Sequence, residues 1–191
     1  MPDTLDKGLF LFGLTLFTMG QVVLNILGPA SQDQSPIDYA HWLLLTGSVL
    51  LIPLAARLPR RGLHLLSGPV LLIGIVCIIG MNAIDFVYWT LPHELDMELY
   101  RHLVVQPSVW QPFMRFGPNE LFITGLLLPS LGFIRFSDRK TWIASGLVVA
   151  GLASMIFGTQ WFNVIGYSLV IAGYGLHFFA PGLHLKVSDD G

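Results

Sequence analysis

Long apolar runs, separated by short polar stretches, occur six times along the chain. A helix needs roughly 20 apolar residues to cross the hydrocarbon core of a bilayer. The runs that reach or approach this length are residues 8–27, 39–58, 63–91, 119–136, 141–160 and 163–182. Pro53, Pro69 and Pro129 fall inside them, which membrane helices tolerate when neighbouring groups satisfy the freed carbonyls. The pattern predicts an all-α, polytopic integral membrane protein with one transmembrane domain over residues 1–191.

Composition strengthens this interpretation. Of the 191 residues, 53% are hydrophobic and only 12% are charged, against about 25% in a typical soluble domain. Because so few charged residues cannot cover a surface that faces water, we expect most of the protein surface to contact the lipid bilayer. The net charge of −2 offers no basic surface for nucleic acid. The single cysteine, Cys77, leaves no intramolecular disulfide and no thiolate zinc site.

The basic residues predict how the helices are oriented. Cytoplasmic loops of membrane proteins carry an excess of Lys and Arg. Two of the ten basic residues, Arg101 and Arg115, fall on one side of the predicted helices. The eight on the other side are Lys7, Arg57, Arg60, Arg61, Arg135, Arg139, Lys140 and Lys186. We therefore expect both termini to be cytoplasmic, in what we take to be a bacterial cytoplasmic (inner) membrane.

One connection, residues 92–118 on the outer side, is much longer than the others. Loops of that length are uncommon unless they are functional. We predict a short amphipathic outer helix over 93–104. After it come Pro107, Pro112 and Pro118, which we expect to prevent a helix from continuing.

Polar side chains inside the apolar runs collect toward their outer ends. Such groups are costly in a bilayer and usually face a bundle interior or a cavity. An outward-facing polar cavity is therefore predicted, although helix ends are in general more polar than helix centres, and that alone accounts for His41. The predicted ligand-binding residues of the cavity are Gln21, Asn25, Asn82, Asp85, Asn119 and Glu120.

Two of these residues are carboxylates. Asp85 is the acidic residue most clearly inside a predicted span, and it would either stay ionised beside a partner or take up a proton. It could thus bind a cation or carry a proton, or else lie at the interface beside Tyr88. Asn119 is expected to cap the fourth helix, with Glu120 at the positive end of its dipole. From there Glu120 could face Asp85 across the cavity.

The segment His93–His102 holds the densest cluster of ionisable side chains. In a helix, Glu94, Glu98 and His102 recur every four residues on one face. Two carboxylates and an imidazole can bind a divalent cation or relay protons. The alternative is the solvated polar face of an amphipathic helix that lies on the membrane surface.

Histidines give little support to a haem site. They are not arranged as facing pairs at one depth, and only His64 and His177 share the cytoplasmic half of the predicted bundle. The cofactor is therefore left unknown, with a divalent metal favoured over haem.

Small residues predict close packing faces on the last two helices. Gly or Ala at a helix surface lets two backbones approach closely in a membrane. The glycines assigned to such packing faces are Gly146, Gly151, Gly166, Gly173 and Gly175.

Three functions remain open. The first is a transporter or carrier of a small solute or cation, favoured by the polar cluster and by a weak similarity of residues 8–20 to 120–132, which would make an inverted repeat. The second is a membrane-embedded enzyme, with or without a metal, acting on a lipid or apolar substrate at the outer leaflet. The third is a sensor or a subunit of a membrane complex, anchored through Trp110, Phe113 and Phe116. A small-molecule or ion ligand, a second copy, or another membrane protein are the expected partners.

Overall fold

The computed structural model describes residues 3–27, 37–59, 62–91, 93–134 and 138–179. Within these ranges the chain is helical and contains no strand. The predictions for Arg60, Arg61, Arg135 and Lys186 lie outside the described residues. We call the end of the bundle where α1 begins the inner end, and the opposite end the outer end.

The helices follow one another with short connections. In chain order they are α1 (Thr4–Leu27), α2 (Ile37–Arg57), α3 (His64–Thr90), α4 (His93–Val104), α5 (Pro107–Trp110), α6 (Phe122–Gly132), α7 (Arg139–Phe157) and α8 (Gln160–Phe179). Five of them, α1, α2, α3, α7 and α8, are long and apolar enough to cross a membrane. An all-helical integral membrane protein is the class that these helices indicate, and α4 has the predicted bounds.

Capping explains why α1 begins four residues earlier than predicted. The backbone N–H of Asp6 donates to the Asp3 side chain at 2.8 Å, and the N–H of Asp3 donates to the Asp6 side chain at 3.2 Å. This reciprocal arrangement satisfies two of the free N–H groups at a helix start. In α7 the Asp138 side chain accepts from the N–H of Lys140 and plays the same part.

Residues 107–132 form one continuous irregular helix, so the prediction that three prolines keep 107–118 from being helical is wrong. Pro107 is the first residue of α5, where a missing N–H breaks no helical hydrogen bond. Pro112 and Pro118 lie in two π-helical stretches between α5 and α6. The wider π turn relieves the clash between a proline ring and the carbonyl four residues earlier.

Hydrogen bonds across five residues define these wide turns. The N–H of Phe116 donates to the carbonyl of Gln111 at 2.7 Å, and the N–H of Leu121 donates to Phe116 at 3.1 Å. Asn119 does not cap a helix start as predicted, because its side-chain amide donates to the carbonyl of Arg115 at 2.8 Å in the middle of the same helix.

The described long helices close into a ring in chain order. α1 packs on α2, α2 on α3, α3 on the 107–132 helix, α6 on α7, α7 on α8, and α8 returns to α1. Every helix of the ring contributes fully or nearly fully buried apolar side chains to its centre. These include Phe10, Leu14, Leu51, Leu54, Ile75, Ile78, Phe122, Leu126, Val148, Leu152, Val170 and Tyr174. Of the buried polar side chains among the described residues, Ser48 lies midway along α2, and the others lie toward the two ends of the bundle.

Two pairs of glycines mark the closest backbone approaches. A Cβ added to Gly13 or to Gly47 would lie 2.6 Å from the carbonyl oxygen of the other. Gly151 and Gly166 form the same kind of pair between α7 and α8, at 2.5 and 2.6 Å. The predicted packing role is confirmed for Gly151, Gly166 and Gly173 and is wrong for Gly146 and Gly175, beside which a Cβ would meet open space.

Candidate functional site

Asp85 faces a histidine of the neighbouring helix. The Nε2 atom of His41 in α2 lies 3.4 Å from Oδ2 of Asp85 in α3. The two side chains are 12% and 24% exposed, so the pair is shielded on most sides but remains reachable. The Asp85 carboxylate therefore has a partner that becomes cationic when it takes up a proton.

Two more polar residues lie one turn from this pair on the same two helices. Asn82 lies one turn inward of Asp85 on α3, and Asp38 lies one turn outward of His41 on α2. Since residues three apart share a helix face and rise roughly 4.5 Å, the four residues follow one line over roughly 9 Å. We call Asp38, His41, Asp85 and Asn82 the outer polar column.

Three members of the column have a polar atom that is buried and makes no hydrogen bond to any described residue. These atoms are Oδ1 of Asp38, Nδ1 of His41 and Oδ1 of Asn82. An unpaired buried polar group typically costs about 1–3 kcal/mol, so several of them in one place call for an explanation. Carboxylate and amide oxygens suit a small hard cation, and an imidazole nitrogen suits a proton.

The column ends inward on apolar packing. Asn82 is fully buried, and its amide donates to the carbonyl of Ile78 at 2.8 Å. The side chains of Ile78, Ile75 and Leu44 around the next turns are all 0–1% exposed. A polar solute that reached the column from the outer end would therefore meet a closed apolar layer below Asn82.

Gln21 and Asn25 lie on α1 at the same end of the bundle. A Cβ added to Gly20 would meet the carbonyl of Ala40 at 3.0 Å, which places both residues beside the first turns of α2. The amide of Asn25 donates to the carbonyl of Gln21 at 2.7 Å, while its Oδ1 is buried with no partner among the described residues. These two predicted ligand residues thus share the depth of the outer polar column.

The structure does not bring Asn119 or Glu120 to Asp85. Gly117 packs against Cys77, and Phe122 packs against Gly74, so Glu120 lies between these levels of α3. That is roughly 14 Å inward of Asp85 along the helix axis. Both Asn119 and Glu120 are exposed on the flank of the bundle, and they belong to a different surface.

The amphipathic helix α4 shows a solvated polar face. Its Glu98 and His102 side chains are 67% and 74% exposed, with His102 Nε2 3.9 Å from Glu98 Oε1. For Glu94 the structure describes the backbone only. Among the described residues no three His, Cys, Asp or Glu side chains are placed to hold a metal, so the predicted metal site remains a prediction without geometric support.

A second polar cluster, which the sequence did not reveal, joins α6, α7 and α8 near the inner end. The hydroxyl oxygens of Ser130 and Ser145 lie 3.1 and 3.2 Å from Nε2 of His177. Both serines are buried, and Ser145 also donates to the Ser130 carbonyl at 3.0 Å. Such bonds between helices are typical of membrane bundles. The spacing of residues along the chain does not indicate this cluster, because Ser130, Ser145 and His177 lie far apart in the sequence.

The two histidines considered for haem contact the same aromatic ring. The centroid of the Phe133 ring lies 4.8 Å from that of His64 and 5.5 Å from that of His177.

Comparisons of the chain with protein-family models, with curated proteins and with solved structures give no match. The chemistry of the outer polar column therefore has to be inferred from its geometry.

Proposed function

We propose that this protein is a carrier that exchanges protons for a small cation, or for a cationic solute, at the outer polar column. The main observation in support of this proposal is the His41–Asp85 pair, whose side chains lie 3.4 Å apart and are mostly shielded from solvent. It is surrounded by buried oxygen and nitrogen atoms that have no partner among the described residues.

Protonated His41 and a bound cation compete for the negative charge of the Asp85 carboxylate. When His41 is protonated, its positive charge neutralises Asp85, and a second cation gains little by binding there. When His41 is neutral, the carboxylate charge is available to a cation, and either Asn82 Oδ1 or Asp38 Oδ1, one turn to either side of the pair, offers a further oxygen ligand. Binding of the cation and loss of the proton are then linked, which is the requirement for exchange.

The membrane arrangement in this proposal has six spans. The 107–132 helix is the sixth, because at a rise near 1.5 Å per residue it is roughly 39 Å long, enough for a hydrocarbon core of about 30 Å. The described basic residues Lys7, Arg57, Arg139 and Lys140 lie at the inner end. The positive-inside rule then makes that end cytoplasmic, with α1 beginning and α8 ending there, in a bacterial cytoplasmic membrane.

Proteoliposomes with an acidic lumen and a pH-sensitive dye test the proposal. Addition of Li⁺, Na⁺, K⁺ or a small organic ammonium should dissipate the proton gradient for at least one of them. Asp85→Asn should remove this response, and His41→Gln should weaken its dependence on pH. Glu98→Gln, which removes a carboxylate from the exposed face of α4, is the matched control and should behave as wild type. A full response in Asp85→Asn would overturn the proposal.

A further inference from the structure

A stripe of polar side chains runs down the exposed flank of the 107–132 helix. Its members lie four residues apart, except for one adjacent pair, and this spacing keeps them on one face where the hydrogen bonds widen to span five residues. The exposed residues of this polar stripe are Gln111, Arg115, Asn119, Glu120 and Thr124. No member of the stripe belongs to the outer polar column.

The stripe reaches the middle of the bundle. Phe113 packs against Gly80 and Phe122 packs against Gly74, so Arg115 and Glu120 lie at the depth of residues 74–80. This is the centre of α3, which runs from His64 to Thr90. Charged side chains at the centre of a bilayer are costly when they face lipid, and they normally face protein or a water-filled space.

Among the described residues, no helix packs closely on this flank. The π-helical part of the 107–132 helix packs on α3, whereas α6 packs on both α3 and α7. The outer half of the helix therefore has a partner on one side, and the polar stripe lies on the flank away from it.

We propose that the polar stripe is the contact surface for a second copy of this chain, related by a two-fold axis along the membrane normal. Its charges are self-complementary, with one cation and one anion five residues apart. A two-fold axis lets Arg115 of each protomer pair with Glu120 of the partner subunit. The axial offset between the two positions, roughly 7 Å, is within reach of an arginine and a glutamate side chain that lean toward each other. Asn119, between them, would meet its own counterpart through amide hydrogen bonds.

Charge reversal tests the pairing. The fraction of dimer is counted by single-molecule photobleaching of labelled protein in liposomes at rising protein-to-lipid ratios. Arg115→Glu and Glu120→Arg alone should each weaken dimerisation by at least roughly 100-fold, because each reversal breaks both symmetry-related charge pairs and places like charges opposite each other. The double variant, Arg115→Glu with Glu120→Arg, should restore it, because the two-fold axis pairs the swapped charges again. Arg101→Glu on the exposed face of α4 is the control and should change nothing.

Cysteine crosslinking gives a second readout that does not depend on charge. In a Cys77→Ala background, Asn119→Cys should form a disulfide between protomers, whereas Val149→Cys, exposed on α7, should not. Unchanged dimer fractions in both single charge reversals would overturn the proposal. So would a monomer in which Asn119→Cys reacts freely with a membrane-impermeant thiol reagent, since that result assigns the stripe to a water-filled groove.

Discussion

The guanidinium of Arg57, at the end of α2, donates to both carboxylate oxygens of Asp6, in the first turn of α1, at 2.7 and 3.0 Å. The same Nη1 atom lies 3.3 Å from Asp3. Asp6 is almost completely buried, whereas Arg57 and Asp3 are more than half exposed. The Arg57–Asp6 ion pair therefore joins the inner ends of α1 and α2, and its carboxylate is buried.

Removal of Arg57 should destabilise the protein more than removal of Asp3. Arg57→Ala leaves the Asp6 carboxylate buried without its cation, which is the costly way to break an ion pair. We expect a fall of several degrees in Tm for a chain of this size. Asp3→Ser removes an exposed charge but keeps a good N-cap, so its Tm should stay close to wild type. Thermal unfolding in detergent, followed by tryptophan fluorescence, compares the two, and equal losses would contradict this account.

Replacement of a glycine by alanine should change the free energy of unfolding by an amount that depends on the position of the glycine. At Gly47 or Gly151 the added methyl group meets a backbone carbonyl at 2.5–2.6 Å, and we expect a loss of about 1–3 kcal/mol from overpacking. Gly146, on the same helix as Gly151, has open space. Gly146→Ala should then be neutral or raise stability by up to about 1 kcal/mol through helix propensity. Equilibrium unfolding in mixed micelles measures the series, and a loss at Gly146 as large as that at Gly151 would be inconsistent with these contacts.

The serine–histidine cluster should contribute to stability through bonds between helices. Ser145→Ala removes the donor to the Ser130 carbonyl and a contact with His177, and we expect a loss of about 1 kcal/mol. Ser168 is the matched control, because its exposed hydroxyl donates to the carbonyl of Val164 in its own helix. Ser168→Ala should change the free energy of unfolding by less than about 0.5 kcal/mol. The interpretation fails if the two variants lose the same amount.

The long helices could be predicted because the length of each apolar run agrees with the length of helix that crosses a bilayer. An apolar run of roughly 20 residues is what a bilayer requires, and the observed bounds of α2 and α3 differ from the predicted ones by one or two residues. Helix α4 was also predicted correctly, since its leucines and its charged residues each follow a helical period. Both signals are local, so no knowledge of neighbouring helices was needed.

The site depended on information that the sequence does not hold. Depth can be estimated from position in a run, and His41, Asn82 and Asp85 were placed in the outer part correctly. Rotation of one helix about its axis relative to the next cannot be estimated in this way. The contact between His41 and Asp85 depends on that rotation, and so does the exposure of Glu120, which was expected to face Asp85.

The π turns illustrate the same limit, and they lead to a test. Gly117 packs so closely that an added Cβ would collide with the carbonyl of Pro112 and with the Cβ and Sγ atoms of Cys77. The π turn at Gly117 and its close contact with α3 thus depend on each other. The conformational preferences of proline alone predict only that the helix is interrupted. Gly117→Ala should push the outer half of the 107–132 helix away from α3.

We expect Gly117→Ala to lower the free energy of unfolding by at least about 2 kcal/mol, the range typical of overpacked sites. Cys77→Gly removes the two side-chain atoms that collide, so the double variant should lose less than the sum of the single losses, with a coupling of about 1 kcal/mol. Gly8→Ala, where the methyl group meets open space, controls for the change of residue type. Strict additivity in this cycle would show that Gly117 does not hold the helix against Cys77, and the 107–132 helix would then owe its position to other contacts.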